Sequence, residues 1–129
     1  MNGMTDRPKV TGTATVLIVS DLQGALDFFG KLGFIERAVW GEPPCFGMMN
    51  RDEFDIMLSL AEKPEQLHPN GRDGVWDLYI NVGDLGAEIQ ALRSQGIAIK
   101  REPQQMDYGM LEADVVGPDG HLICFGQRS

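Results

Sequence analysis

Few side chains in this sequence are equipped for covalent or metal chemistry. Two cysteines, Cys45 and Cys124, and two histidines, His68 and His121, are the soft or nucleophilic candidates. A thiol nucleophile needs a base within hydrogen-bonding reach, and neither cysteine has a histidine beside it in a recognisable arrangement. Glu112 and Asp114 sit two residues apart on a strand-like stretch and so share a face, where solvation is the ordinary expectation. Gly117 and Gly120 bracket Pro118 and Asp119, closing a turn instead of opening a helix, so no phosphate-cradling loop is present there. No catalytic residue is assigned. A different chemistry is suggested by Asp77, Tyr79 and Asn81, which alternate along one strand and place a flat ring between two hydrogen-bonding groups, the usual makeup of a ligand cleft.

The elements that must position these residues come in two copies. VSDLQGALDFFGKLGFIER, from Val19, aligns with VGDLGAEIQALRSQGIAIK, from Val82, at a constant offset of 63 residues. Val19, Asp21, Leu22 and Gly33 fall on Val82, Asp84, Leu85 and Gly96. In the first copy Ala14 to Val19 reads as a strand, Asp21 as a helix N-cap, and Leu22 to Leu32 as an amphipathic helix stopped by Gly33. Strands are expected at Phe34 to Trp40, Cys45 to Asn50 and Phe54 to Leu60. The second copy repeats the order: strand Trp76 to Val82, cap Asp84, helix Leu85 to Ser94, then strands Ile97 to Arg101, Met110 to Val116 and His121 to Gly126. The fold class is therefore α+β, a βαβββ unit used twice. One domain of 129 residues is expected, with module one at 12–62, a Pro-, Asn- and Gly-rich linker at 63–74, and module two at 75–127.

Composition narrows the partners. A net charge of −8 and a pI near 4.6 oppose contact with nucleic acid or an anionic membrane surface, while favouring cationic or neutral small molecules. No apolar run is long enough to cross a bilayer, and the start, MNGMTDRPKV, has no apolar leader core, so a cytoplasmic protein with two free thiols is expected.

With V-S-D-L before a helix that ends in L-G-F, its second copy V-G-D-L, and the closing G-P-D-G-H-L-I-C-F, the chain resembles the vicinal oxygen chelate superfamily of glyoxalases, bleomycin-resistance proteins and extradiol dioxygenases. The resemblance covers nearly all of residues 12–127. It implies that each module curls its sheet into a half-barrel cup, and that the chain assembles as a homodimer. Metal-dependent members place ligands on the first and last strands of each module, which correspond here to Ala14, Met57, Asp77 and Cys124. Ala14 has no donor atom and Met57 has only a thioether, poorly matched to hard or borderline ions. Asp77 and Cys124 are competent zinc ligands, but neither His68 nor His121 is in register to provide a third. No metal or other cofactor is expected.

If no ion is held, the cups themselves are the site. Alternation sends Leu78, Ile80 and Val82 toward a helix, and Asp77, Tyr79 and Asn81 into the second cup. Ala14, Val16 and Ile18 are their apolar counterparts in the first. Trp40, Phe46, Met48, Met57, Trp76 and Tyr108 are further candidates for ligand contact, with Cys124 in the floor. Each ring contact contributes roughly 0.5–1.5 kcal/mol beyond burial, and methionines adapt to varied shapes. Three readings stand: a metal-free binder of an aromatic or cationic organic molecule, like the bleomycin-resistance branch; a glyoxalase- or dioxygenase-type metalloenzyme with an atypical ligand set; and a dimerising scaffold without a ligand.

Overall fold

The computed structural model describes residues 6–129, so the first five residues of MNGMTDRPKV lie outside it. Eight strands and two helices follow the order βαβββ twice: β1 Ala14–Val19, α1 Leu22–Lys31, β2 Ile35–Trp40, β3 Phe46–Arg51 and β4 Phe54–Leu60, then β5 Leu78–Asn81, α2 Leu85–Ser94, β6 Arg101–Gln105, β7 Met110–Val116 and β8 Leu122–Arg128. Each module forms one four-stranded mixed sheet, in the orders β1-β4-β3-β2 and β5-β8-β7-β6. β1 lies parallel to β4 and β5 parallel to β8, with the remaining pairs antiparallel. A parallel pair needs a long crossover, which in both modules carries the helix.

Both helices begin on the aspartate read as a cap. Gly24 N–H donates to Asp21 at 3.2 Å and Ala87 N–H to Asp84 at 3.0 Å, satisfying amides that a helix start leaves without partners. The apolar stripes of α1 (Leu22, Ala25, Leu26, Phe29) and α2 (Leu85, Ile89, Leu92) are buried against one face of each sheet. Leu17, Val19, Met49, Ile56 and Leu58 complete the core of module one, and Ala113, Val115, Ile123 and Phe125 that of module two. Leu78, Ile80 and Val82 pack against that core, as strand alternation requires. The modules are also tied by polar contacts. Arg51 donates to Glu88 at 2.6 and 3.0 Å, and Ser20 N–H donates to Asp119 at 3.0 Å.

One strand departs from expectation. Residues Ile97 to Lys100 are not paired as a strand; Ile97 and Ile99 rest half-buried on the core, and the sixth strand begins at Arg101 and continues through Glu102, Pro103, Gln104 and Gln105. That segment has no apolar face to signal it, because it is the outer strand of its sheet and largely exposed. Pro103 is tolerated there because an edge strand donates to one neighbour only, and the register shifts between Arg101 and Gln104. The linker is shaped too, by 3-10 turns at Pro64–Gln66 and Asn70–Asp73.

Candidate functional site

The faces turned away from the helices carry the expected site residues, and the two sheets carry them differently. In the first sheet, register places Trp40 opposite Phe46, Phe46 opposite Ser59, and Ser59 opposite Ile18. The next row is Ala38, Met48, Met57 and Val16. Trp40 and Phe46 form a tilted ring pair 5.6 Å apart. This wall is apolar and open: Val16 is 54% exposed and Trp40 47%.

In the second sheet the equivalent row is Arg101, Asp114, Cys124 and Tyr79. Trp76 meets Tyr79 edge-on at 5.0 Å, so each module has one tryptophan-centred ring pair. Behind these rings lies a buried ionic network that sequence reading did not anticipate. Glu112 and Asp114, expected to be solvated, are 0% and 7% exposed. Arg101 Nε donates to Asp114 at 2.7 Å, and its Nη2 donates to both Asp114 and Glu112 at 3.0 Å. The other oxygen of Glu112 accepts from the Tyr79 hydroxyl at 2.9 Å and the Tyr108 hydroxyl at 2.7 Å. Tyr79 reaches Glu112 by lying across Gly126, where a Cβ would come within 2.1 Å of the phenolic oxygen. Glycine leaves room for that close approach.

These contacts set the ionisation of the network. Burial alone would raise the Glu112 carboxyl, but hydrogen bonds from Tyr108, Arg101 and Tyr79 outweigh it and hold the group below the ordinary carboxylate value. The hydrogen bond to Glu112 pushes Tyr108 up to about 12, and burial together with the same carboxylate raises Tyr79 further. Burial, reinforced by Glu112 and Asp114, pushes the Cys124 thiol up to about 12, so it is a neutral, unreactive group. Arg101, held by Asp114, stays charged.

The four positions at which the resemblance implies metal ligands do not fit an ion. Ala14 is exposed and without a donor atom, and Met57 is a half-buried thioether. Asp77 spends both carboxylate oxygens on backbone amides, accepting from Asn70 at 2.7 Å, Gly71 at 2.9 Å and Leu122 at 2.8 Å, which pins the linker to the start of β8. Cys124 is fully buried against Arg101. Among the described residues, no group of three His, Cys, Asp or Glu is arranged to hold a metal.

Of the expected contact residues, Trp40, Phe46, Met48 and Met57 gather on the first open face, while Tyr79, Tyr108 and Cys124, with Trp76 at its edge, gather on the second. Asn81 is exposed on the same strand as Tyr79. Asp77 serves the linker. Arg101, Glu112 and Asp114 complete the second face. The signal for them in the sequence is a pair of carboxylates at alternate positions in a strand, MLEADVV, whose other residues are apolar. A cleft of about 610 Å³ lies between the modules, lined by Thr13 and Thr15, by β5 with the expected residues Tyr79 and Asn81 among its lining, and by the Arg51–Glu88 pair. Among the described residues, β1 and β5 are each an edge of their sheet.

Comparison with known proteins accords with this architecture. Residues 13–125 match the family model described as Glyoxalase/Bleomycin resistance protein/Dioxygenase superfamily. An uncharacterised protein of Shewanella frigidimarina (strain NCIMB 400) is 31% identical over 107 residues, spanning 72% of this chain and 76% of the relative. Among solved structures, TnmS3, an antibiotic binding protein from Streptomyces sp. CB03234, superimposes with a TM-score of 0.75 at 23% identity, covering 95% of this chain and 99% of that one. A bleomycin-binding protein complexed with bleomycin superimposes with a TM-score of 0.73 at 19% identity, covering 94% and 100%.

Proposed function

The chain belongs to the glyoxalase/bleomycin resistance protein/dioxygenase superfamily, and from that premise we propose that it is a metal-free binding protein that holds an aromatic or cationic organic molecule. The observation that carries this reading is the pair of open sheet faces, each bearing one tryptophan-centred ring pair, one wall apolar and the other backed by excess carboxylate. A flat molecule stacks on the rings, and a cationic group is drawn to the acidic side and to the net charge of −8. Structural neighbours named for binding bleomycin and another antibiotic support the same class of ligand.

The reading includes a homodimer. Among the described residues β1 and β5 are edge strands, and β1 carries the exposed apolar Val16 and Ile18, so a second copy would cover both liabilities and enclose a ligand between faces. Light scattering on a sizing column is expected to give twice the 14.2 kDa chain mass. Titration with bleomycin and with planar aromatic cations is expected to quench tryptophan emission saturably, because both tryptophans, Trp40 and Trp76, lie in the ring pairs. Replacing Trp40 by Ala should weaken binding by about two- to tenfold. Unchanged emission across such a panel would remove the main support.

One observation favours the scaffold reading instead: the floor of the second face is filled by its own side chains, Arg101, Glu112 and Asp114. The same titration separates the two, since a scaffold dimerises without responding to any of the compounds.

A further inference from the structure

The Nη2 atom of Arg101 sits at the focus of three acceptor residues. Glu112 Oε1 and Asp114 Oδ1 accept from it at 3.0 Å, and the Cys124 sulfur lies at 3.8 Å. Nε is committed to the second oxygen of Asp114 at 2.7 Å, and Nη1 reaches the Met106 sulfur at 3.5 Å. Two carboxylates that are 0% and 7% exposed lie side by side, and burying both is costly unless a cation stands between them. Here that cation is a side chain of the same sheet. A metal ion binding at Cys124 would need these same oxygens and this sulfur at about 2.0–2.5 Å, inside the space the guanidinium holds.

We propose that the Arg101 guanidinium is the built-in cation of the second module: it holds the Glu112 and Asp114 carboxylates beside the Cys124 thiol in place of a metal ion, and through Glu112 it positions the Tyr79 and Tyr108 rings. The second part follows from how Glu112 is divided. One oxygen is fixed by Arg101, which leaves the other at the point where both phenolic hydroxyls donate. Both phenol hydrogens are thereby spent inward, so the two ring oxygens can only accept from whatever lies outside. A planar fork is needed for this, because bridging Asp114 through two nitrogens while reaching Glu112 is beyond a single ammonium. The inference shares with the proposed function only the absence of an ion from the second face, and it is tested without any organic ligand.

The Arg101→Ala protein is expected to melt about 10 °C or more below the parent, because two buried carboxylates are left uncompensated. Low-millimolar guanidinium chloride should restore most of that loss and the near-ultraviolet tyrosine signal, whereas sodium chloride or urea at the same concentration should not. Failure of guanidinium to do better than sodium would overturn the proposal. Should Arg101→Ala not fold, Arg101→Lys decides: it keeps the charge but not the fork, and is expected to shift both the melting point and the tyrosine signal, whereas parent-like values in both would refute the positioning role. The unaltered protein gives an independent reading. Titration with cadmium should produce no thiolate absorption from Cys124, and one equivalent bound with such absorption, abolished in Cys124→Ser, would show that an ion and not Arg101 belongs there.

Discussion

Matched rows of the two sheets differ at every position. Across the first, Val16 pairs with Met57, Met57 with Met48, and Met48 with Ala38. Across the second, in the same topology, Tyr79 pairs with Cys124, Cys124 with Asp114, and Asp114 with Arg101. The helix-facing rows are apolar in both modules. Half of each strand that packs on a helix is thus constrained by the need to bury it, and the other half is left free to diverge. The divergence has a structural consequence. Paired charges fill the floor of the second face with its own side chains, while the first face stays as bare hydrocarbon and rings, with Val16 54% exposed.

Several measurements would break or sharpen that contrast. The largest effect is expected from Glu112→Ala, which removes a fully buried partner of Arg101 and leaves the Tyr79 and Tyr108 hydroxyls without their acceptor. Denaturant unfolding should show a loss of about 3 kcal/mol. The matched truncation on the other face, Met57→Ala, should cost about 1 kcal/mol, because that side chain is only half-buried. Equal losses would mean that the two faces are energetically alike after all.

The pH dependence of stability comes next and should be dominated by the second face. Glu112 is held below its unfolded value, so its contribution is complete above about pH 4.5 and is lost as the pH falls through the native value. Cys124 and Tyr108 are both pushed up to about 12, so their contribution is complete below their unfolded values, near pH 9 and 10, and is lost as the pH rises toward 12. Thermal melts across pH should therefore show a plateau with an acid and an alkaline shoulder. Glu112→Gln should flatten the acid shoulder, and an unchanged profile would argue against the network.

A smaller effect is expected from Gly126→Ala. The new methyl group would displace the Tyr79 hydroxyl, weakening its bond to Glu112 for about 1 kcal/mol and shifting the tyrosine near-ultraviolet signal. The smallest perturbation is chemical labelling. Cys45 is exposed and Cys124 buried, so a thiol reagent should modify Cys45 readily in the native protein and reach Cys124 only on unfolding. Fast modification of both would show that the second face opens.

Much of this was legible in the linear chain, and the gaps have identifiable causes. Asp21 and Asp84 are legible as caps because the cap interaction is local, within three residues of the helix start, and both accept the expected amide. The doubled βαβββ order was readable because a 63-residue repeat with strand and helix periodicity leaves few alternatives. The apolar residues Ile97 and Ile99 point to a sixth strand at Ile97–Arg101, whereas the strand begins at Arg101 on a polar edge. Glu112 and Asp114 were expected to meet water, because alternation shows that two residues share a face without showing what covers it.

The amino-acid sequence by itself therefore determined the modules, their caps and the helix-facing half of every sheet, all of which follow from short-range periodicity and local hydrogen bonding. Only the tertiary structure decided that Arg101 lies over Glu112, Asp114 and Cys124, and that Asp77 serves the linker instead of the cup. Those outcomes depend on strand register and on which turn docks where. They join residues separated by up to 45 positions along the chain, a distance at which no local pattern reports which charge will meet which.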